Sequence, residues 1–514
     1  MVTKSLLAPR SKRRSQAVSQ PERAGIASLK ATTCNDKISL TGIRFDRGAI
    51  NDILDDQEHP MANAFDFGAT GDGRTDDTEA LQHAIADGDG TLQLGKGTFR
   101  ITQPLLFDLS ELGYVAVEGT GGATRIVMDG PGPAIRIFGT HRGTASPSTV
   151  KPAVWQNERM PTVSGLEILG THKKSVGIEL TRTMQCTLTG VLIRKCQHGV
   201  HLVERNRNVL ISHCHIYDNA EYGIFFDACN LHQTVISACH ISYNKRAGIK
   251  SLNGDVHNLH ITGNDIEYNN LPGTNEPAAD IWFEAPEGRI SEVSIASNTI
   301  QATVTPNGAN IRIHGEENDS PNKSPLIAIS GNVIGSQTRA IELRNVNRFS
   351  ITGNTIYDSD DLSLLIQKCS GISVGSNTVV WRADDNLPER DGIRVEDSSN
   401  VSLHNLVTER LCSGSEESGA AIEFVRCRES SISNCQVLDP RYRGIELTDC
   451  RNCRVNDNTV IDLREDPKMR EAIRVRDSAG TVIIRNNLAG GATQTAFSIN
   501  GNHEAPDSNA IVQA

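Results

Sequence analysis

A short unit, Gly-Ile-x-Leu with small or polar residues sometimes replacing the Gly, recurs through most of this chain and constrains its fold more than any other feature. Copies begin at Gly177, Gly199, Gly223, Gly248, Asp280, Asn310, Ala340, Gly392, Ala421, Gly444 and Ala472, about 22 to 32 residues apart. A period of that length signals a solenoid or stacked array. Each copy alternates buried, exposed, buried, the period of a strand with one face in a core. Between copies lies a second unit, Ile-x-x-Asn-x-Ile, seen at Ile261–Ile266, Ile295–Ile300, Ile329–Ile334 and Ile351–Ile356, with Val455–Val460 as a variant. Its Asn is expected to mark a bend, because Asn tolerates left-handed backbone and can bond to its own kind one rung away. The pattern predicts a right-handed, single-stranded parallel β-helix of about a dozen coils, each burying its aliphatic residues against its neighbours. A leucine-rich repeat would show a Leu-x-x-Leu-x-Leu frame, which is absent.

A solenoid grows in one dimension, so one body can use most of the 514 residues. The division expected is a basic N-terminal extension over 1–60, a β-helix over 61–490 and a C-terminal cap or tail over 491–514. The extension carries Lys4, Arg10, Lys12, Arg13, Arg14, Arg23 and Lys30 against the single acid Glu22 through residue 30, and reads as a solvated tail, with Met61 a candidate start. It lacks the apolar core of a signal peptide, and no stretch of the sequence is long and apolar enough for a membrane span. The formal charge of -11 argues against a partner held by its phosphates, so no nucleic acid is expected. The twelve cysteines follow the repeat, Cys214, Cys239 and Cys435 occupying the Asn position, and read as small buried ladder residues. Cys450 and Cys453 form a Cys-x-x-Cys without a second pair at zinc-finger spacing.

Ahead of the repeats stands Phe65-Asp66-Phe67-Gly68-Ala69-Thr70-Gly71-Asp72-Gly73-Arg74-Thr75-Asp76-Asp77-Thr78-Glu79-Ala80-Leu81-Gln82-His83-Ala84-Ile85, followed by Gly90 to Thr102 with the look of strand, turn and strand. Asp76 is placed to cap a helix, with Glu79 reaching back and Leu81, Ala84 and Ile85 as its apolar stripe. The segment resembles the opening signature of the pectate-lyase superfamily, in its rhamnogalacturonase and epimerase-like branch. That resemblance implies a β-helix closed by an N-terminal capping helix. It also implies a carbohydrate partner, since members include pectin-degrading hydrolases and lyases, mannuronan epimerases, fructan transferases and phage tailspikes. The combination of motifs that marks polygalacturonases is absent; Asp360-Asp361 and Asp384-Asp385 are isolated pairs in loops.

Long connections at 267–279, 301–309, 380–391, 407–420 and 461–471 are expected to wall a groove along the outward side chains of the first strands. Those side chains are Glu179, His201, Phe225, Lys250, Trp282, Arg312 and Glu342, then Arg394, Glu423, Glu446 and Arg474. An insertion at 139–162 with His141, Lys151, Trp155 and Arg159 is placed to fold over the early end. The column suits an acidic polysaccharide. Phe225 and Trp282 offer platforms for sugar faces, Glu179 and Glu342 add polar contacts, and Lys250 and Arg312 can hold carboxylates. For β-elimination, His201 or Lys250 is the candidate base and Arg312 the candidate cation for the developing charge. For hydrolysis, Glu423 and Glu446 on successive coils form the alternative acid pair, which could also take Ca2+; Glu204 and Asp227 form a weaker pair. His215, His240 and Asp265 share a register and read as a surface ladder or a metal site. The competing reading is a non-catalytic, glycan-binding or structural β-helix, tailspike-like and either monomeric or homotrimeric.

Overall fold

The structure, a computed structural model, describes residues 61–512 except 89, 145, 316–324, 383–389, 502 and 504–507. The basic segment 1–60 and Asp384-Asp385 therefore lie outside the described residues. Each coil lays down three short strands, as in Ala247–Leu252, Asp255–Thr262 and Asp265–Glu267. Every strand pairs in parallel with the equivalent strand one coil away. The outcome is three parallel sheets wound as a coil, in the right-handed sense that parallel crossovers take. The third sheet alone counts 17 strands among the described residues, so the stack has about 16 turns, more than the dozen expected. The difference arises at the start, where coils between 91 and 170 lack the Gly-Ile-x-Leu unit, and at the end. Thr495–Ile499 and Ala510–Val512 add strands to two of the sheets within the segment assigned to a cap.

The core is a set of aliphatic columns. The coil 247–267 completely buries Ile249, Val256, Leu259, Ile261 and Ile266, each worth about 1.5–3 kcal/mol relative to exposure. Thr78–Asp87 forms the expected helix over the first coil, with Leu81, Ala84 and Ile85 inward. Its cap differs from expectation. Asp77 takes the N-cap position, but its carboxylate accepts from the Thr70 and Gly71 N–H groups instead, and Asp76 accepts from the Thr78 N–H at 3.1 Å.

Two amide ladders close the corners. Asn264, Asn298, Asn332 and Asn354 each donate from Nδ2 to Oδ1 of the next at 2.9–3.0 Å, the series ending on Asn377. Left-handed backbone falls one residue earlier than expected, at Gly263, Ser297, Gly331, Gly353 and Ser376. The bend thus belongs to the preceding residue, and the Asn is selected for its side-chain bonds. Asn219, Asn244 and Asn269 form the second ladder, ending on the buried Asp280, which also accepts from Asn310. This ladder and the next coil's backbone together leave no room for a Cβ at Gly223 and Gly248, where the carbonyl oxygens of Gly248 and Asp280 would stand at 2.6 and 2.8 Å. A Cβ at Gly248 would stand 2.9 Å from the Asn269 amide nitrogen, and one at Gly223 2.8 Å from that of Asn244. Where the corner Asn is no longer supplied, Asp280 and Asn310 fill the glycine's place with their own side chains. The eleven cysteines among the described residues are buried, with Cys239 donating its backbone N–H to Asn264 Oδ1 and Cys435 to Asn458 Oδ1.

Candidate functional site

Parallel pairing without slip puts the predicted column in one line. Glu179, His201, Phe225, Lys250, Trp282, Arg312, Glu342, Leu365, Arg394, Glu423, Glu446 and Arg474 are successive Cα partners. Its exposure departs from expectation. Trp282 is only 6% exposed, Arg312 5% and Lys250 2%, and Phe225 and Glu342 are buried as well. The long connections do not flank the column as walls but fold onto it. Arg312 donates to the carbonyls of Ala278 and Asn307 in two of them, at 3.4 and 2.9 Å. Ala247, Ala279 and Ala309 pack with Trp282 as an apolar layer, joined by Tyr222.

Beneath that cover the charged side chains pair with one another, while the buried Trp282 Nε1 has no hydrogen-bond partner among the described residues. The Trp282 ring has Lys250 Nζ 3.7 Å from its centroid, and the Arg312 guanidinium approaches the same ring at 5.3 Å. Lys250 also meets Glu284 at 2.6 Å. Burial pushes its ammonium down to about 8 although Glu284 opposes the shift. Glu342 is bound by Arg312, His314, Arg339 and Arg344 at 2.8–3.3 Å. Burial alone would raise its carboxyl, but the His314 hydrogen bond and the Arg312 charge hold it well below the usual range. Trp282 and Phe225 are therefore not open sugar platforms here, and Arg312 is committed to Glu342.

The alternative acid pair is likewise enclosed. Glu446, 0% exposed, takes Arg474 and Arg476 on one oxygen and the Gly419 N–H on the other. Glu423 pairs with Arg394 at 3.1 Å, and burial raises its carboxyl. Oxygens already satisfied by guanidinium groups do not form a calcium site, so the residues do not fit that ion. His240 meets Asp265 at 3.3 Å and stands edge-on to His215. Among the described residues no group of three or more His, Cys, Asp and Glu side chains is arranged to hold a metal.

Like Arg394 further along, the early end of the column reaches solvent. There His201 lies between two carboxylates, Nε2 3.2 Å from Asp227 and Nδ1 3.4 Å from Glu179. Its ring stacks on Phe225 at 5.3 Å, and His198 and Tyr222 continue the aromatic cluster. The hydrogen bond from His201 holds the Glu179 carboxyl below its ordinary range against the effect of burial, helped by Arg136 at 3.0 Å. Arg182 and Glu204 pair beside it at 2.8 Å. A polar pocket of about 420 Å³ opens further along, where Asp360 and Asp361 are each paired to an arginine, Arg390 and Arg339.

The insertion at 139–162 folds over the second sheet, beside this exposed end. Arg207 donates to the Thr144 carbonyl at 3.0 Å, Tyr114 to that of Gln156 at 2.6 Å, and Val150, Val154 and Met184 form a small core beneath Trp155. A groove of about 760 Å³ runs under it, between Trp155, Arg159 and Met160 and the left-handed residues Gln185, Asn208, Gln233 and Asn258. The sequence carried a signal for that groove: an amide followed two residues later by an outward side chain, at the period of the repeat.

Residues 61–121 match the family model described as rhamnogalacturonase A/epimerase, pectate lyase-like, and residues 153–280 and 404–511 match that of the right-handed β-helix region. The chain is a right-handed parallel β-helix whose opening segment is similar to the pectate-lyase-like superfamily. No curated protein matches it. Among solved structures it is similar to the N-terminal fragment of gene product 12 of bacteriophage Phi29, with TM-score 0.53, 14% identity, and 87% of this chain and 74% of that one covered. The A-module of mannuronan C-5 epimerase AlgE4 from Azotobacter vinelandii matches at TM-score 0.34 and 17% identity, covering 86% of this chain and 99% of that one. Tailspike protein 3 of bacteriophage CBA120 matches at TM-score 0.40 and 13% identity, covering 90% and 62%. At these identities the likeness concerns the fold alone.

Proposed function

We propose that this chain is a carbohydrate-active β-helix that acts on an acidic polysaccharide lying across its early coils, with His201 as the proton-transfer group. The observation that carries this reading is His201 itself, a part-exposed imidazole held between Glu179 and Asp227 on the first-strand sheet. Such bracketing orients the ring and leaves a proton carrier where a sugar can reach it. In a lyase, His201 takes the proton beside the uronate carboxylate while Arg136 or Arg182, both part-exposed, faces the developing negative charge. In a hydrolase, Glu179 and Asp227 supply the two carboxylates that glycoside cleavage requires. The rhamnogalacturonase and epimerase-like opening segment supports a carbohydrate partner.

The test is incubation with pectins, alginate, glycosaminoglycans and fructans, with calcium and with chelator, following reducing ends and the ultraviolet absorbance of unsaturated uronates. Absorbance together with new reducing ends identifies a lyase; reducing ends alone identify a hydrolase. His201→Ala should abolish either signal and keep the far-ultraviolet spectrum of the wild type. Product formation by His201→Ala at the wild-type rate would refute the assignment. A second reading, a non-catalytic glycan-binding β-helix, is favoured by the sealing of Lys250, Trp282 and Arg312 beneath the connections. It predicts no product from any polymer.

A further inference from the structure

We infer that the groove beneath the 139–162 insertion is a second saccharide site, built to hold an extended anionic glycan along the helix axis. The inference rests on the carbohydrate reading above but not on His201, and it concerns a different sheet.

The first observation is the state of the amides. In the corner ladders every Asn is buried and bonded to the next. In the groove, Gln185, Gln233 and Asn258 have side chains that make no hydrogen bond to another described residue, and only Asn208 is engaged, by Arg207. These amides stand one per coil, at the strand spacing of about 4.8 Å. That is close to the advance of one pyranose ring in an extended chain, so successive sugars meet the same donor and acceptor. Amides aimed at open space in register form a recognition row for hydroxyl groups.

The second observation is the wall. Trp155, half-buried on the small insertion core, and the exposed Met160 face Leu210 and Val235 across the groove. This gives an apolar surface for ring faces beside the polar row, the combination that saccharide sites use. Arg207 and Tyr114 tie the insertion down from two sides, so the groove is formed before any ligand arrives.

The third observation is charge. The chain carries -11 overall, yet no acidic side chain lines this groove, and Arg159 and His260 do. Arg205 and Arg207 stand behind it, close enough to help push the buried His141 ring down to about 4, an effect led by burial. A groove free of acids on an acidic protein selects for uronate or sulfate groups over neutral glucans.

Retention on affinity gels containing polygalacturonate, alginate or, as the neutral control, pullulan tests the site, using the full chain. The wild type should be retained by at least one anionic polymer and pass freely through pullulan. Gln233→Ala removes an exposed amide and should weaken retention about fivefold; Arg159→Glu should weaken it tenfold or more. Trp155→Ala should do the same, with Gln233→Ala as the check that loss is not a loosened insertion. His201→Ala should be retained as the wild type, which separates this site from the one proposed for catalysis. Equal retention of wild type, Gln233→Ala and Arg159→Glu, retention by pullulan as strong as by the acidic polymers, or no retention by any polymer would overturn the inference.

Discussion

Replacing Lys250 with Met should stabilise the protein, and the reason is the ammonium group's position. It is buried against the Trp282 ring, and burial brings it from its ordinary 10.5 down to about 8. At 1.36 kcal/mol for each tenfold change in proton affinity, the charged form costs the folded state roughly 3 kcal/mol, with Glu284 already taken into account. The contact with Trp282 returns about 0.5–2 kcal/mol. Met has a similar length and no charge, and Glu284 is exposed enough to be solvated alone, so Lys250→Met should gain roughly 1–2 kcal/mol at pH 7. The sign with pH follows. Below pH 8 both folded and unfolded chains hold the proton, and the full cost is present. Between pH 8 and 10.5 the unfolded chain binds more protons, so wild-type stability from this group rises with pH, while the variant lacks that rise. Hydrogen exchange of strands 247–252 and 278–284 at pH 7 and pH 9.5 reads the local opening free energy directly. A variant less stable than wild type at pH 7, or the same pH slope in both, would show that the side chain is not held as described.

Glu342→Gln should cost about 3–5 kcal/mol, because it strands Arg312 beneath the connections without its counter-charge. Since the folded carboxyl titrates below its ordinary range, the wild type should lose this advantage as pH falls below about 4.5 and the variant should show no such loss, measured by urea unfolding at pH 7 and pH 3.5. Asn332→Ala removes the acceptor for two Asn298 N–H groups and the donor to the Ile295 carbonyl and should cost about 3–5 kcal/mol, visible as faster exchange across three coils. Cys435→Asn should leave stability unchanged or raise it by about 1 kcal/mol, since Asn458 Oδ1 already stands where the new amide would donate; a loss above about 2 kcal/mol would contradict the ladder.

The fold was legible because a solenoid repeats its own evidence along the chain: Ile249, Ile281 and Ile311 each announce the same inward position. Register followed from that spacing, and so did the line from Glu179 to Arg474. What the sequence did not reveal was cover. Whether Trp282 meets solvent depends on where Asn307 and Ala278 turn after long irregular connections, and no period in the sequence reports that. The displacement of left-handed backbone from Asn264 to Gly263 was missed for a related reason, since Ser297 and Ser376 fill the same bend without any turn signature. The groove under Trp155 escaped notice because its amides sit at left-handed breaks of the second strand, where Gln and Asn look like ordinary surface residues.

The corner amides all point one way. Each Asn accepts from the coil before and donates to the coil after, so their dipoles add head to tail, with the donor end facing the C-terminus. Leu406 interrupts the series, and a second run from Asn458 through Asn487 to Asn509 repeats the same polarity. A finished coil therefore presents an N–H row seeking an acceptor, and the next coil to leave the ribosome brings the carbonyl that fits it. The stack is polarised in the direction of its own synthesis, and coils exchanged between positions keep their bonds only if inserted in that orientation.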